Sequence, residues 1–434
     1  MPLIHSQRLS NEIVREECFP FPFGDALFRF EAARTGRLDA AVRGETAMSF
    51  SATIESPRGA KRVLALAALV LALAQPALAL ETTARAALMV DLGSGTLLFE
   101  KNADQEIPPA SLSKLMTLAV IFDELRKGSV RLDESFPVSE NAWRTGGAAS
   151  GGSTMFLPLN SQVTLADLIK GIAIQSGNDA TIVAAEGIAG SVPAFAEMMN
   201  RKARELGLTH SHFVNPHGLP DPQQYVSARD LVTLASYLIR EFPEQYPLFS
   251  EEEFTFNGIT QRSRNPLLPL GADGLKTGHT AEAGYGLVAS VKDDTGRRIV
   301  FALTGMKSVQ ERAEQARAMM TAGLRGFESI VVAKAGESLG EVPVRNGAEE
   351  SVPVRPGGEI RFLQPRGEGG GPVTHEIVPL GIVDAPVPEG RRVAQLRVLQ
   401  GGKVLREEPL FAARAVEEAS LLQRIQNTVL GHFR

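Results

Sequence analysis

An apolar run near the start of the chain separates a segment that we expect to be removed from the segment that we expect to remain. The run, Val63–Ala74, is too short to span a membrane, which takes about 20 residues. Arg58, Lys61 and Arg62 precede it, and an Ala-Leu-Ala sequence that ends at Ala79 follows it. A basic segment, a short apolar core and small residues before a cleavage point are typical of a secretory signal peptide. We therefore expect an exported chain that begins at residue 80; the alternative is an ordinary buried helix.

The predicted signal peptide does not begin at the first residue. Translation from Met48 would give a signal peptide over residues 48–79, close to the usual length of about 15–30 residues. Residues 1–47 would then be an upstream extension that arises from start-site choice. The chain's one cysteine, Cys18, lies in that extension. The mature chain is therefore expected to carry no thiol, which excludes a disulfide framework and a cysteine-rich zinc site.

The composition is that of a globular protein. The full chain is 44% hydrophobic and 22% charged, near the globular average. A formal net charge of -5 gives no support for nucleic-acid binding by phosphate neutralisation. The seven histidines show no metal-ligand spacing. We expect neither a metal nor a cofactor.

Hydrophobic patterns predict strands at both ends of residues 80–328 and helices between them. A hairpin is expected within Ala84–Glu100, and Tyr285–Ser290 is expected to pair with Arg298–Gly305. A stretch rich in Gly and Ser, Trp143–Thr154, is expected to be a loop. Helices are predicted over residues 112–125, 165–174, 179–188, 192–206, 228–242 and 311–327.

The composition changes after Glu328. Short alternating runs rich in Gly, Pro, Val and Glu predict a small all-β domain over residues 329–411. Its strands are expected at Ile330–Val332, Ser351–Val354, Glu359–Phe362, Thr374–Pro379 and Arg392–Leu399. Within residues 412–434 an apolar stripe follows helical spacing, formed by Leu422, Ile425, Val429 and Phe433. Such an amphipathic helix either packs on the β domain or lies in a membrane surface.

The first motif with catalytic chemistry is Pro109-Ala110-Ser111-Leu112-Ser113-Lys114. Ser111 and Lys114 stand at i and i+3 of a predicted helix start, so their side chains share a face. A serine hydroxyl is a weak nucleophile until a base takes its proton. A desolvated lysine near other cations has a lowered pKa and can be that base.

Two further motifs follow in the chain. Ser176-Gly177-Asn178 lies between two predicted helices, and Lys276-Thr277-Gly278, followed by His279, lies on a predicted strand. A small glycine suits an edge strand along which a peptide-like substrate can lie. Each motif alone also fits an ordinary polar turn or strand end. The order S-x-x-K, S-x-N, K-T-G is closely related to that of β-lactamases and penicillin-binding proteins.

With these motifs, and with Asn215–Leu219 and Asp273–Thr280, the chain resembles serine-type D-alanyl-D-alanine carboxypeptidases, low-molecular-mass penicillin-binding proteins of peptidase family S11. The resemblance covers roughly Ala84–Phe411. It implies an α+β, three-layer α/β/α penicillin-binding or β-lactamase-like transpeptidase domain with an antiparallel sheet and an inserted, mainly helical subdomain. A small all-β domain and a membrane-associating C-terminal amphipathic helix follow.

The resemblance also implies roles for individual residues. Ser111 is the nucleophile, Lys114 its base, and Ser176 a proton relay to the leaving amine. Asn178 binds a substrate amide or Lys114. Lys276 adds positive potential and Thr277 binds a terminal carboxylate, while backbone N–H groups of Ser111 and His279 hold the oxyanion. Arg312 is a second candidate carboxylate anchor, with Arg264 weaker, and a solvated helix position is the alternative for Arg312. His217 is expected to serve a structural turn.

The activity so implied is removal of the terminal D-alanine from peptidoglycan stem pentapeptides. β-Lactam antibiotics would be covalent inhibitors, and the enzyme would be periplasmic on the outer face of the cytoplasmic membrane. D,D-endopeptidase action on cross-links stays open, because the sequence does not show subsite shape. A class A β-lactamase is less favoured, since no E-x-x-L-N sequence stands between the second and third motifs. A non-catalytic scaffold is disfavoured by the three intact motifs.

Overall fold

The computed structural model describes residues 80–366 and 372–420. The predicted upstream extension and signal peptide, residues 1–79, lie outside this range, as do residues 421–434 of the predicted C-terminal helix. Within the described residues, no single helix is long and apolar enough to cross a membrane. One pair bent by 85°, Asn178–Ala189 with Val192–Glu205, meets the criteria of length and composition together.

Helices and strands of the first domain follow the predicted order. The helices are α1 (Lys114–Lys127), α2 (Leu165–Lys170), α3 (Asn178–Ala189), α4 (Val192–Glu205), α5 (Ala228–Glu241) and α6 (Val309–Arg325). The strands are β1 (Ala86–Asp91), β2 (Leu97–Lys101), β3 (Ser135–Pro137), β4 (Gln162–Thr164), β5 (Glu253–Phe256), β6 (Ile259–Arg262), β7 (Ala272–Thr280), β8 (Gly284–Lys292) and β9 (Arg298–Met306).

Five of these strands form an antiparallel sheet in the order β2-β1-β9-β8-β7. Successive residues of a strand point to opposite faces. Leu88, Val300 and Ala302 face a core shared with α1 and α5, whereas Met89 and Phe301 face a second core shared with α6. This is the three-layer arrangement that the resemblance implied. Because β7 is an edge strand, one side of it is free of sheet pairing.

Side-chain caps fix where most helices begin. The hydroxyls of Thr164, Ser191, Ser227 and Ser308 accept hydrogen bonds from backbone N–H groups three residues further on, at the starts of α2, α4, α5 and α6. Such caps satisfy N–H groups that have no partner within the helix. Helices α1 and α3 begin without a side-chain cap. Both begin at the candidate site described below.

Two local predictions differ from the structure. The helix predicted over residues 165–174 ends at Lys170 and continues as a π-helical turn, Gly171–Gln175, which leads to Ser176 in a left-handed conformation. The predicted loop at Trp143–Thr154 contains a π-helical turn, Ala142–Gly146, and a 3-10 turn, Ala148–Ser150. Hydrophobic periodicity does not distinguish these tight and wide turns from helix or loop.

The C-terminal part is all-β, as predicted. Its strands are β10 (Phe327–Ala333), β11 (Gly340–Arg345), β12 (Ser351–Pro356), β13 (Ile360–Pro365), β14 (Val373–Pro379), β15 (Val383–Asp384), β16 (Arg392–Gln400) and β17 (Lys403–Ala412). They form a pair, β10-β13, and a six-stranded sheet in the order β14-β16-β17-β12-β11-β15. The predicted runs correspond to β10, β12, β13, β14 and β16; the analysis missed β11, β15 and β17.

The predicted helix over residues 412–434 is wrong for residues 412–420. Ala412 ends β17, and the following chain is extended, with Val416 bridging Val387 and Glu418 bridging Gly347. Val416 is buried in the core of the β domain. The apolar stripe that motivated the helix begins only at Leu422, so it placed no constraint on this earlier segment.

Candidate active site

The serine and lysine of the first motif meet at the start of α1. Ser111 lies in a 3-10 turn, Ala110–Ser113, and Lys114 is the first residue of the helix. The two side chains share a face, and Lys114 Nζ lies 2.8 Å from Ser111 Oγ. Ser111 is half-buried, whereas Lys114 is completely buried.

Three oxygens surround the amine of Lys114. Besides Ser111 Oγ, Nζ contacts Asn178 Oδ1 and the backbone carbonyl of His217, each at 2.7 Å. The amide and carbonyl oxygens only accept hydrogen bonds. A neutral amine therefore uses its two N–H groups on them and directs its lone pair at the Ser111 hydroxyl. We call Ser111, Lys114, Asn178 and the His217 carbonyl the amine side of the site.

The charge environment favours the neutral form of this amine. Burial, with the nearby cations Lys276 and Arg264, holds the pKa of Lys114 well below its usual value, and Asp179 opposes this shift. Removing an ammonium from water disfavours its charged form, and like charges add to that effect. A buried lysine in such a place can act as a base near neutral pH.

Ser176 stands in a strained position two residues before Asn178. Its backbone φ is 64°, in the left-handed region, and its side-chain oxygen is buried with no hydrogen-bond partner among residues 80–366 and 372–420. Non-glycine residues held in this conformation concentrate at functional sites. A buried hydroxyl without a partner is equally uncommon, and it is available to a ligand.

The third motif lies on edge strand β7 and passes directly beside the nucleophile. A Cβ on Gly278 would lie 3.2 Å from the backbone nitrogens of Ser111 and Leu112 and 3.0 Å from the Leu112 side chain. Real Cβ atoms seldom approach neighbours so closely. A larger residue would need the strand or the Ala110–Ser113 turn to shift by a few tenths of an ångström, so this close approach favours glycine.

Lys276, Arg264 and Arg312 form a group that we call the cationic side. Lys276 is buried, and its Nζ donates to the Thr277 carbonyl at 3.1 Å. Burial, with Arg264 and Arg312, lowers the pKa of Lys276 to about 7. Burial also lowers the pKa of Arg264, and it lowers that of Arg312 together with the charge of Arg264.

The arginines are held by uncharged groups. Arg264 Nη1 donates to Ser153 Oγ at 2.9 Å, and Arg312 Nη2 donates to the Arg264 carbonyl at 3.2 Å. Arg312 is 5% exposed, so it is not a solvated helix residue, and its Nε has no partner within the described part of the chain. Buried cations are usually paired with an anion. In the described residues these cations have no carboxylate partner, so the cationic side is suited to an anionic ligand.

Tyr285 belongs to this site, although the sequence analysis missed it. Its ring stacks on that of His279 with centroids 3.9 Å apart, and the guanidinium of Arg312 lies 5.8 Å from the Tyr285 centroid. Tyr285 pairs with His279 across the β7–β8 hairpin. Only that register would have revealed the contact, and no motif marks it.

His217 supports the amine side through its backbone. The residue is half-buried, its Nδ1 accepts a hydrogen bond from the Leu219 N–H at 3.1 Å, and burial together with Lys114 lowers its pKa to about 3. The ring is therefore neutral and structural near pH 7. Gly218 next to it has a φ of 86°, and a Cβ there would lie 1.8 Å from the Ala110 carbonyl oxygen. This turn is packed directly against the 3-10 turn Ala110–Ser113.

The structure brings several of the residues singled out from the sequence into contact. Lys114 links the first two motifs, Gly278 places the third beside Ser111, and Arg312 joins Lys276 and Arg264. Thr277 is buried next to Lys276. The analysis missed the His217 carbonyl as a ligand of the amine.

Comparison with known proteins agrees with this geometry. Residues 72–307 match a family model described as D-alanyl-D-alanine carboxypeptidase, and residues 327–418 match one described as the C-terminal domain of penicillin-binding protein 5. The chain is 37% identical to the D-alanyl-D-alanine carboxypeptidase DacC of Escherichia coli, over 81% of this chain and 88% of the relative. It is 35% identical to DacA of Haemophilus influenzae, over 81% and 91%. The fold matches the crystal structure of penicillin-binding protein 5 from Haemophilus influenzae with a TM-score of 0.71 and 35% identity, covering 78% of this chain and 98% of that chain.

Proposed function

The chain belongs to the peptidase S11 family and is a D-alanyl-D-alanine carboxypeptidase, and from this premise we propose that it works through an acyl-enzyme on Ser111. The observation that carries the proposal is the amine of Lys114, buried and aimed at Ser111 Oγ at 2.8 Å. Peptidoglycan stem peptides and β-lactams are the ligands of such penicillin-binding enzymes. Ser111 Oγ is the atom that both would acylate.

In acylation, Ser111 Oγ attacks the carbonyl of the penultimate D-alanine as its proton passes to Lys114 Nζ. The backbone N–H groups of Ser111 and His279 stabilise the oxyanion that forms. When the C–N bond breaks, the proton returns from Lys114 to the leaving amine, and the unpartnered hydroxyl of Ser176 relays it. Asn178 holds the amine in place through its Oδ1 contact.

In deacylation, water attacks the ester carbonyl and Lys114 accepts the proton of that water. The ester C–O bond breaks, and the proton returns to Ser111 Oγ. This step gives the free serine and a peptide shortened by one D-alanine. In this mechanism the same amine serves as the base in both halves of the reaction.

The cationic side selects the end of the substrate. Thr277 and Arg312 would bind the carboxylate of the terminal D-alanine, with Lys276 and Arg264 adding positive potential. A guanidinium matches a carboxylate with two parallel hydrogen bonds. Substrates that end in a free carboxylate satisfy these buried cations, which favours carboxypeptidase over endopeptidase action on cross-links.

The decisive experiment measures D-alanine release from a pentapeptide that ends in D-Ala-D-Ala. We expect release by the mature protein and none above background by Ser111→Ala. Ser129→Ala is the matched control, because Ser129 is exposed beyond the far end of α1. Equal release by the Ser111 variant would refute the mechanism. Release only from cross-linked peptides would favour the endopeptidase, and rapid turnover of penicillin would favour a β-lactamase.

The place of action that we propose is outside the cytoplasmic membrane. It is supported by the signal-peptide pattern that ends at Ala79 and by a substrate that belongs to the cell wall. The working chain would then comprise a catalytic domain over residues 80–328 and a β domain from residue 329. Attachment to the membrane surface would depend on the apolar stripe in residues 421–434 alone.

A further inference from the structure

A buried carboxylate stands next to the second motif without a role in the chemistry described above. Asp179 follows Asn178 in the first turn of α3 and is completely buried. Its Oδ1 accepts from the N–H groups of Met155 at 2.8 Å and Ala180 at 2.9 Å. Its Oδ2 accepts from Thr154 Oγ1 at 2.6 Å and the Leu157 N–H at 3.1 Å. These four hydrogen bonds hold the carboxylate in place.

Three of these donors belong to one stretch, residues 153–157, which we call the clamp segment. Its other contacts reach both sides of the site. The Ser153 carbonyl accepts from the Asn178 N–H at 2.8 Å, and Ser153 Oγ accepts from Arg264 Nη1 at 2.9 Å. Gln261 Nε2 donates to the Thr154 carbonyl at 2.9 Å. The clamp segment therefore connects Asn178, which holds the amine, to Arg264 of the cationic side.

Space around the clamp segment is as restricted as its hydrogen bonding. A Cβ on Gly177 would lie 2.9 Å from Asp179 Oδ1 and 3.0 Å from the Met155 nitrogen. A Cβ on Gly152 would lie 2.7 Å from Asn178 Nδ2. The motif and the clamp segment thus fit together as one packed unit, and a shift of either displaces Asn178.

The charges that face Lys114 come from several elements. Lys276 approaches from β7, Arg264 from the segment that precedes β7, and Asp179 from α3, while the His217 ring is neutral. Lys276 and Arg264 lower the pKa of Lys114, and Asp179 raises it. Asp179 thus counterbalances the two cations, although it does not touch the amine in the described hydrogen bonds.

We propose that Asp179 is a positioning residue for acylation, which fixes the clamp segment against Asn178 and Arg264 and supplies the negative charge that offsets the cations around Lys114. This inference rests on the proposed function, because it assumes that Lys114 is the base. It assigns Asp179 two separable effects. One is geometric and depends on hydrogen bonds, and the other is electrostatic and depends on its charge.

The test compares Asp179→Asn with Thr154→Val in the full chain, using the rate of acylation by a labelled penicillin between pH 4 and 9. Asp179→Asn removes the charge and part of the accepting capacity. We expect a loss of about tenfold in the plateau rate, the size expected for one hydrogen bond to a charged group. The acidic limb of its pH–rate profile should move to lower pH, because loss of a negative charge lowers the pKa of Lys114 further.

Thr154→Val removes one donor and keeps the charge. It should slow acylation by about threefold, with the acidic limb where the wild type has it. Asp230→Asn is the matched control: Asp230 is also buried in the first turn of a helix and accepts from His210 and Ser211, yet it lies away from Lys114. The acidic limb of the pH–rate profile of Asp230→Asn should stay where the wild type has it, even if the thermal stability of this variant changes.

The outcomes separate this inference from the proposed function. A wild-type protein that is not acylated at Ser111 overturns the function. If the wild type is acylated but the acidic limb of the pH–rate profile does not move in Asp179→Asn, the electrostatic effect is overturned. If Thr154→Val is acylated as fast as the wild type, the geometric effect is overturned. If Asp179→Asn does not fold, Thr154→Val with wild-type rates still overturns the geometric effect.

Discussion

The two sides of this active site are built in opposite ways. On the amine side, Lys114 has an oxygen partner for each hydrogen-bonding position, at 2.7–2.8 Å. On the cationic side, Lys276 and Arg312 are buried and Arg264 is exposed, and none of the three has a carboxylate partner among the described residues. The first side is complete in the free protein. The second keeps positive charge that an anionic ligand would neutralise.

This difference fits the role that we propose for each side. Proton transfer needs a base whose lone pair is already aimed, because reorganisation during the reaction would raise the barrier. Recognition of a terminal carboxylate gains most when the site holds positive charge that no internal anion has neutralised. Buried like charges destabilise the free protein, and a bound carboxylate would relieve that cost.

The largest effect is expected when the amine of Lys114 is removed. Lys114→Met keeps the length of the side chain but removes the base, and we expect acylation by penicillin to fall about 10²–10⁴-fold, the usual contribution of general base catalysis. Lys127→Met at the exposed end of α1 is the control and should retain full activity. An amine side that tolerates Lys114→Met within tenfold would not be the catalytic side.

A smaller effect is expected on the cationic side. Arg312→Gln should reduce kcat/KM for a peptide ending in D-Ala-D-Ala by about 10–100-fold, mainly through KM, since it removes hydrogen bonds to a charged group. With the same peptide carrying a C-terminal amide, wild type and variant should be equally slow. The exposed Arg325→Gln on the same helix controls for the loss of charge. An unchanged ratio between the acid and the amide would exclude Arg312 as a carboxylate anchor.

The smallest effect is expected from a substitution that keeps the His217 carbonyl and replaces the His217 ring. His217→Asn keeps the carbonyl and can still accept from Leu219, so activity at pH 8 should stay within about threefold of wild type. The ring has a pKa of about 3 in the folded chain against 6.5 when unfolded, so the unfolded state binds more protons between these values. Wild-type stability should therefore decrease as pH falls below 6.5, and the variant should lose less. Equal acid sensitivity of the two proteins in thermal unfolding would contradict this.

Much of the fold was predictable because its signals are local. The hairpin around Asp91, the β8–β9 pair and the long helices carry their periodicity in a few consecutive residues. The turn from Lys170 to Ser176 was not predictable, because its π-helical widening is stabilised by tertiary packing rather than by propensity. The segment 413–420 was misassigned for the same reason: Val416 is extended because a distant strand pairs with it.

By itself, the sequence determined that Ser111 and Lys114 face each other, because a spacing of three residues at a helix start leaves no other arrangement. It also determined which residue types were present for acyl transfer. Only the tertiary structure decided what surrounds the amine, since Asn178 and His217 lie 64 and 103 residues from Lys114. The burial that lowers the pKa of Lys114, the grouping of Arg312 with Lys276 and Arg264, and the contact of Arg312 with Tyr285 arise from packing between separate elements. No local pattern encodes such packing, because each contact requires two or more segments to have folded into place.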